Sequence, residues 1–321
     1  MNSSHTLCKA NNMMHIAAML SGIRRLSLVL LLALPLGALA AEQKSFATPD
    51  EAVDALLAAL KADDDTALLA IFGDKHKSLV VTPDRAANSV MRADAVTAIQ
   101  TYRLLEEQGK DRRVLLIGDQ AWPLPIPLVK SGERWRFATE EGENELFNRR
   151  IGANERNAIA VLQAYLDAQK DYAARDRNGD AVLQYAQRLG STPGKRDGLY
   201  WPADPAKGEE ASPFGPLVAE SAGYLKGRKA GDPYRGYHFR ILTRQGKSAP
   251  GGAYSYVING RMIAGFAMVA YPAQYGESGV MTFIISHNGK MFEKDLGRNS
   301  ATIAAKMTAF DPGAGWHEVA Q

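Results

Sequence analysis

Residues 154–172 carry the pattern that most constrains the fold. Ala158, Val161, Leu162, Tyr165, Leu166, Gln169 and Tyr172 recur at helical spacing, with Asn154 as the expected cap. A helix of about 20 residues with such a stripe must bury it against another layer. The chain supplies one downstream. Segments 236–243, 253–259, 262–270, 280–286 and 290–293 read as strands, and Asn259-Gly260 and Asn288-Gly289 are strong hairpin turns. The second half is therefore expected to be a long helix packed on an antiparallel sheet.

The first half has a different rhythm. Thr48-Pro49-Asp50-Glu51 joins an N-cap, a proline at the first helical position and a capping-box acid. Val53, Leu56, Leu57 and Leu60 then follow at helical spacing. Asp63-Asp64-Asp65 restarts a short helix through Leu68, Leu69 and Phe72, and a third is expected around Ala95, Ile99 and Tyr102. The period then shortens. Residues 113–118, 125–129 and 134–137 read as strands, the last alternating as Arg134-Trp135-Arg136-Phe137 beyond a turn at Gly132. The fold class expected for the whole is α+β.

The first forty residues have the layout of a secretory signal: Arg24-Arg25, an uncharged apolar run from Leu26 to Leu36, then small residues ending at Ala40-Ala41. The run is too short for a membrane span, which takes about 20 residues. The expected division is a signal peptide over 1–40, an α+β domain over 41–150, and a helix-plus-sheet domain over 151–321. The expected location is the periplasm, with no membrane span after cleavage. Cleavage would remove Cys8, the only cysteine, and leave no thiol for disulfides, catalysis or metal binding. It would also remove Lys9, Arg24 and Arg25, leaving 35 basic residues from 38 against 35 acidic ones. A neutral mature chain gives no electrostatic reason to expect nucleic acid as a partner.

Helices followed by a meander with a W-x-F strand resemble the nuclear-transport-factor-2-like and cystatin-like folds. The long helix and later meander resemble the soluble heads of pilin-like proteins, although a pilin joins its apolar stem directly to that helix. More specific blocks are Asp197-Gly198-Leu199-Tyr200-Trp201-Pro202, Ser212-Pro213-Phe214-Gly215-Pro216, Ala249-Pro250-Gly251-Gly252-Ala253, Gly265 to Pro272 and Gly276 to Phe283. Through these, the chain from about residue 44 onward resembles the bacterial exported family catalogued as domain of unknown function 2950. The resemblance implies an envelope protein and carries no catalytic residues with it.

Three groups of residues are candidates for chemistry. Asp176, Asn178 and Asp180 alternate around Gly179 and would offer oxygens to Ca²⁺; the competing reading is a helix stop and turn. Tyr200, Trp201 and Phe214 lie in a long loop rich in Pro and Gly, as a ligand platform or as anchors for the loop. His238, Glu277 and Asp295 are the acid and base groups near the glycine-rich blocks. Gly276-Glu277-Ser278-Gly279 departs from the G-x-S-x-G nucleophile elbow and precedes a strand, so a turn is expected. No cofactor is expected apart from the calcium alternative. With no complete catalytic constellation, the leading expectation is a non-enzymatic binding or assembly module. Its partner would be an envelope protein or cell-wall component. The alternative is a periplasmic hydrolase or isomerase using carboxylate and histidine groups.

Overall fold

Helix α1 (Pro49–Lys61) starts where the capping residues stand. Thr48 Oγ1 accepts from Glu51 N at 3.1 Å, and Glu51 Oε2 accepts from Ala47 N at 3.0 Å. In a computed structural model this and the following elements are described over residues 43–221, 229 and 231–320. The expected signal segment, residues 1–40, lies outside the described residues. Asp64 caps α2 (Asp65–Phe72) through two amides. A short α3 (Lys77–Val80) leads to α4 (Arg85–Thr101), capped by Asp84. Tyr102, expected on the apolar face of that third helix, is instead its exposed C-cap.

Strands β1 (Arg103–Glu107), β2 (Arg112–Ile117), β3 (Trp122–Pro123), β4 (Leu128–Ser131) and β5 (Arg134–Phe137) form an antiparallel sheet in the order β1-β2-β4-β5, with β3 beside β2. Trp135 and Phe137 point into the core, where Val53, Leu56, Leu68, Ile71 and Leu115 are also buried. Alternation with Arg134 and Arg136 achieves this, since successive strand residues face opposite ways.

Helix α5 (Thr139–Ala173) begins fifteen residues before the expected cap. Its 35 residues span about 52 Å at 1.5 Å per residue. Asn154 is mid-helix, and its amide donates to Ser278 O at 2.9 Å rather than to a helix end. Propensity argues against this first stretch, because Gly142 and Gly152 both weaken a helix interior. Tertiary packing overrides it. Thr139 Oγ1 donates to Phe72 O at 2.8 Å, and Leu146 packs on the first core. Ala158, Leu162, Tyr165 and Tyr172 then enter a second core. One helix therefore supports both apolar clusters, within a single compact unit of residues 40–321.

After α5 come a long loop and α6 (Gly215–Glu220), then β6 (Tyr237–Leu242), β7 (Arg244–Gln245), β8 (Tyr254–Ser255), β9 (Val257–Ile258), β10 (Arg261–Met262), β11 (Ala267–Pro272), β12 (Met281–Ser286) and β13 (Met291–Asp295). Helix α7 (Ser300–Lys306), β14 (Ala309–Phe310) and β15 (His317–Glu318) finish the chain. The main sheet runs β15-β13-β12-β11-β6, antiparallel throughout. Its central strands are covered on both faces. The Tyr237 hydroxyl meets Glu155 of α5 on one face. On the other, Arg240 donates to Ala304 O and Met307 O, and Phe292 meets Phe310 edge to face.

The expected strands 253–259 and 262–270 are each broken. Asn259-Gly260 turns β9 into β10 with both residues at positive φ, as the dipeptide predicts. Gly265 then redirects the chain into the main sheet at φ 141°, and a Cβ there would lie 2.7 Å from His287 Nδ1. Only glycine satisfies both demands. The 249–253 block is the wide loop between β7 and β8, held by Gln245 Nε2 donating to Pro250 O and Gly252 O.

Candidate functional site

The long loop after α5 folds into an open basin of about 530 Å³, lined by Thr192, Lys195, Arg196, Tyr200, Trp201, Glu209 and Glu210, among others. Its base is tied to α5. Gln169, fully buried, accepts from Ala186 N and donates to Ala186 O, both at 2.8 Å. The Tyr172 hydroxyl, its pKa pushed up to about 12 by burial, sits 2.7 Å from Arg196 O and 3.0 Å from Asn178 Oδ1. Asp197 accepts from the backbone N and hydroxyl of Thr192, closing the tip of the loop.

The aromatic residues divide between two roles. Phe214 and Trp201 are buried anchors, at 8% and 6% exposure. Trp201 Nε1 donates to Glu210 O at 2.9 Å, and the Arg177 and Arg196 guanidinium carbons lie 5.9 and 5.6 Å from its ring centre. Tyr200 is half-buried and lines the basin.

Glu210 is the electrostatic centre of this region. Arg175, Arg177 and Arg196 reach its carboxylate at 3.2, 3.1 and 2.8 Å. Lys195 and Glu209 also line the basin, so its lining carries two cations, Lys195 and Arg196, and two carboxylates. The aromatic run flags the basin in the sequence. The arginine cluster has no such signal, because its members come from the end of α5 and both sides of the loop.

Asp176, Asn178 and Asp180 do not face a common point through free oxygens. Asp176 accepts from the amides of Asn178, Gly179, Asp180 and Ala181. Asn178 Oδ1 meets Tyr172, and Asp180 pairs with Arg261 at 2.9 Å. That hydrogen bond holds the Asp180 carboxyl below the usual aspartate range. The three residues build a turn, with Gly179 at φ 70°. Among the described residues, no group of three or more His, Cys, Asp or Glu is placed to hold a metal ion.

His238, Glu277 and Asp295 are dispersed. The register sets His238 opposite Tyr271 on the α7 face, whereas Asp295 opposes Met281 on the α5 face. Three strand spacings, about 14 Å, and the sheet itself separate them. Asp295 accepts from the Tyr275 hydroxyl and from Gly297 N. Glu277 lines a small crevice with Asp84, Arg150 and Asn154. Ser278 Oγ is engaged with the backbone N and O of Gln274, as a turn residue.

A family model described as "Protein of unknown function (DUF2950)" matches residues 43–319, and the chain belongs to that family. No curated protein and no solved structure matches it. The likenesses to pilin heads and to nuclear-transport-factor-2-like or cystatin-like domains thus remain ones of element pattern.

Proposed function

We propose that this member of the family is a non-catalytic binding module of the bacterial cell envelope, and that the loop basin is where it binds. The export pattern of residues 1–40 supports the location. The basin carries the reading: a half-buried tyrosine beside Lys195 and Arg196, with Arg175 and Arg177 holding Glu210 from outside the lining, on walls immobilised by Trp201, Phe214 and Asp197. A ring that stacks on Tyr200 while presenting a carboxylate to Lys195 and Arg196 matches this lining. An acidic cell-wall glycopeptide has both parts. The separation of His238 from Asp295 weighs against the carboxylate–histidine enzyme.

The test is calorimetric titration of the protein with soluble cell-wall glycopeptides carrying free carboxylates. Binding is expected for the native protein. It should weaken at least tenfold in Tyr200→Ala and in Arg196→Gln, measured on protein that circular dichroism shows to be folded. Absence of binding by the native protein, or binding indifferent to both substitutions, refutes the proposal.

A further inference from the structure

A second cavity, of about 350 Å³, lies along the N-terminal half of α5, between that helix and α1 to α4. Its lining differs from that of the basin. Phe72, Leu79, Met91, Trp122 and Leu146 supply apolar surface, and no Asp or Glu lines it. Met91 and Trp122 are exposed, at 46% and 37%, so the apolar surface reaches the outside. The polar groups present are Asn88 and three arginines, Arg92, Arg149 and Arg150.

The arginines are not equivalent. Arg92 is consumed by Asp63, Asp65 and Val80 O. Arg150 donates Nη1 and Nη2 to Ser78 O and Leu79 O at the end of α3, at 2.9 and 2.7 Å. Its Nε has no acceptor among the described residues, and the acid that acts on it is Glu277, in the neighbouring crevice and outside this cavity. Arg149 lies 4.4 Å over the Trp122 ring and donates Nε to Glu145; its two terminal nitrogens have no partner among the described residues. An apolar cavity with no acid in its lining and unused guanidinium donors on Arg149 complements one kind of small molecule: a hydrocarbon chain ending in an anion.

We infer that this cavity binds a single-chain amphiphile with a carboxylate head, the chain lying among Phe72, Leu79, Met91 and Leu146 and the head on Arg149 beside Trp122. The site shares no lining residue with the loop basin, so the two assignments stand or fall separately.

The experiment is titration of the full chain with linear alkyl carboxylates of six to twelve carbons, below their micellar concentrations. Decanol and decyltrimethylammonium serve as head-group controls. Affinity should rise about fourfold per added methylene until the cavity is filled. Decanoate should bind at least tenfold more tightly than decyltrimethylammonium. Arg149→Gln should lower decanoate affinity about tenfold and leave decanol unchanged, because it removes only the hydrogen bonds to the charged head. Ala95→Phe, which fills the cavity from α4, should weaken both. Absence of chain-length dependence in the native protein overturns the inference whatever the variants do. So does decyltrimethylammonium binding as tightly as decanoate, or unchanged affinity in a folded Ala95→Phe protein.

Discussion

Gly142 and Gly152 stand ten residues apart in α5, and helix propensity treats them alike. Replacing either with alanine should stabilise the helix by about 1 kcal/mol. The structure separates them. A Cβ on Gly152 would meet only the Arg156 guanidinium tip at 3.4 Å. A Cβ on Gly142 would lie 2.4 Å from Pro125 O and 2.7 Å from Ile126 N, which are backbone atoms of the segment leading into β4. Overpacking of that kind costs about 1–3 kcal/mol, and backbone yields less readily than a side chain. Gly152→Ala should therefore gain about 0.5–1 kcal/mol, and Gly142→Ala should lose about 1–2 kcal/mol net. Urea unfolding followed by circular dichroism measures both, read as midpoints at unchanged slope. If Gly142→Ala proved as stable as Gly152→Ala, the helix would not run against Pro125, and the reading of α5 as continuous from Thr139 would be refuted.

Asp84 accepts from Ala87 N to cap α4 and from Gly236 N across 152 residues of sequence. Asp84→Ala should cost about 2–4 kcal/mol, combining a lost cap with a buried unpaired amide, and chemical unfolding would show it. His287 is held below the usual histidine pKa of 6.5 by burial beside Tyr256 and Phe266, and its Nδ1 has no partner among the described residues. The unfolded state therefore binds its proton first, so this residue's contribution is intact above pH 6.5 and is lost as pH falls below it. Stability measured from pH 8 to 5 should decline less steeply in His287→Phe. That window lies above the range of Glu140, lowered to about 2 by Arg136, whose contribution is lost only as pH falls below 4.5. Because every side-chain oxygen of Asp176, Asn178 and Asp180 is engaged by the protein, neither millimolar Ca²⁺ nor chelator should move the melting temperature. A shift of several degrees would restore the calcium reading.

Local signals were legible wherever the relevant physics is local. Thr48, Asp64 and the Asn259-Gly260 turn act within a few residues of themselves, and each does what its chemistry predicts. The stripe from Ala158 to Tyr172 also needs only its own period to declare a buried face. The α+β class follows from such signals, as does the suspicion that Tyr200 and Trp201 organise a long loop. Where the outcome depends on a distant neighbour, the sequence is silent. The first turns of α5 carry glycines and a weak apolar pattern, and they are helical because Phe72 O and the first core receive them. The break at Gly265 is set by His287, which approaches from the turn after β12.

The functional geometry divides the same way. Residue types alone identify aromatics in a loop and alternating oxygens around a glycine. They cannot show that three arginines converge on Glu210, that Arg261 claims Asp180, or that a sheet stands between His238 and Asp295. Nor can they show an apolar cavity whose walls come from five helices and a strand. Hydrogen bonds and ion pairs act over a few ångströms, and only the tertiary fold brings residues far apart in the chain within that range. The sequence by itself determined the class of elements, their caps and turns, and the charge balance of the chain. The fold decided which side chains share a space.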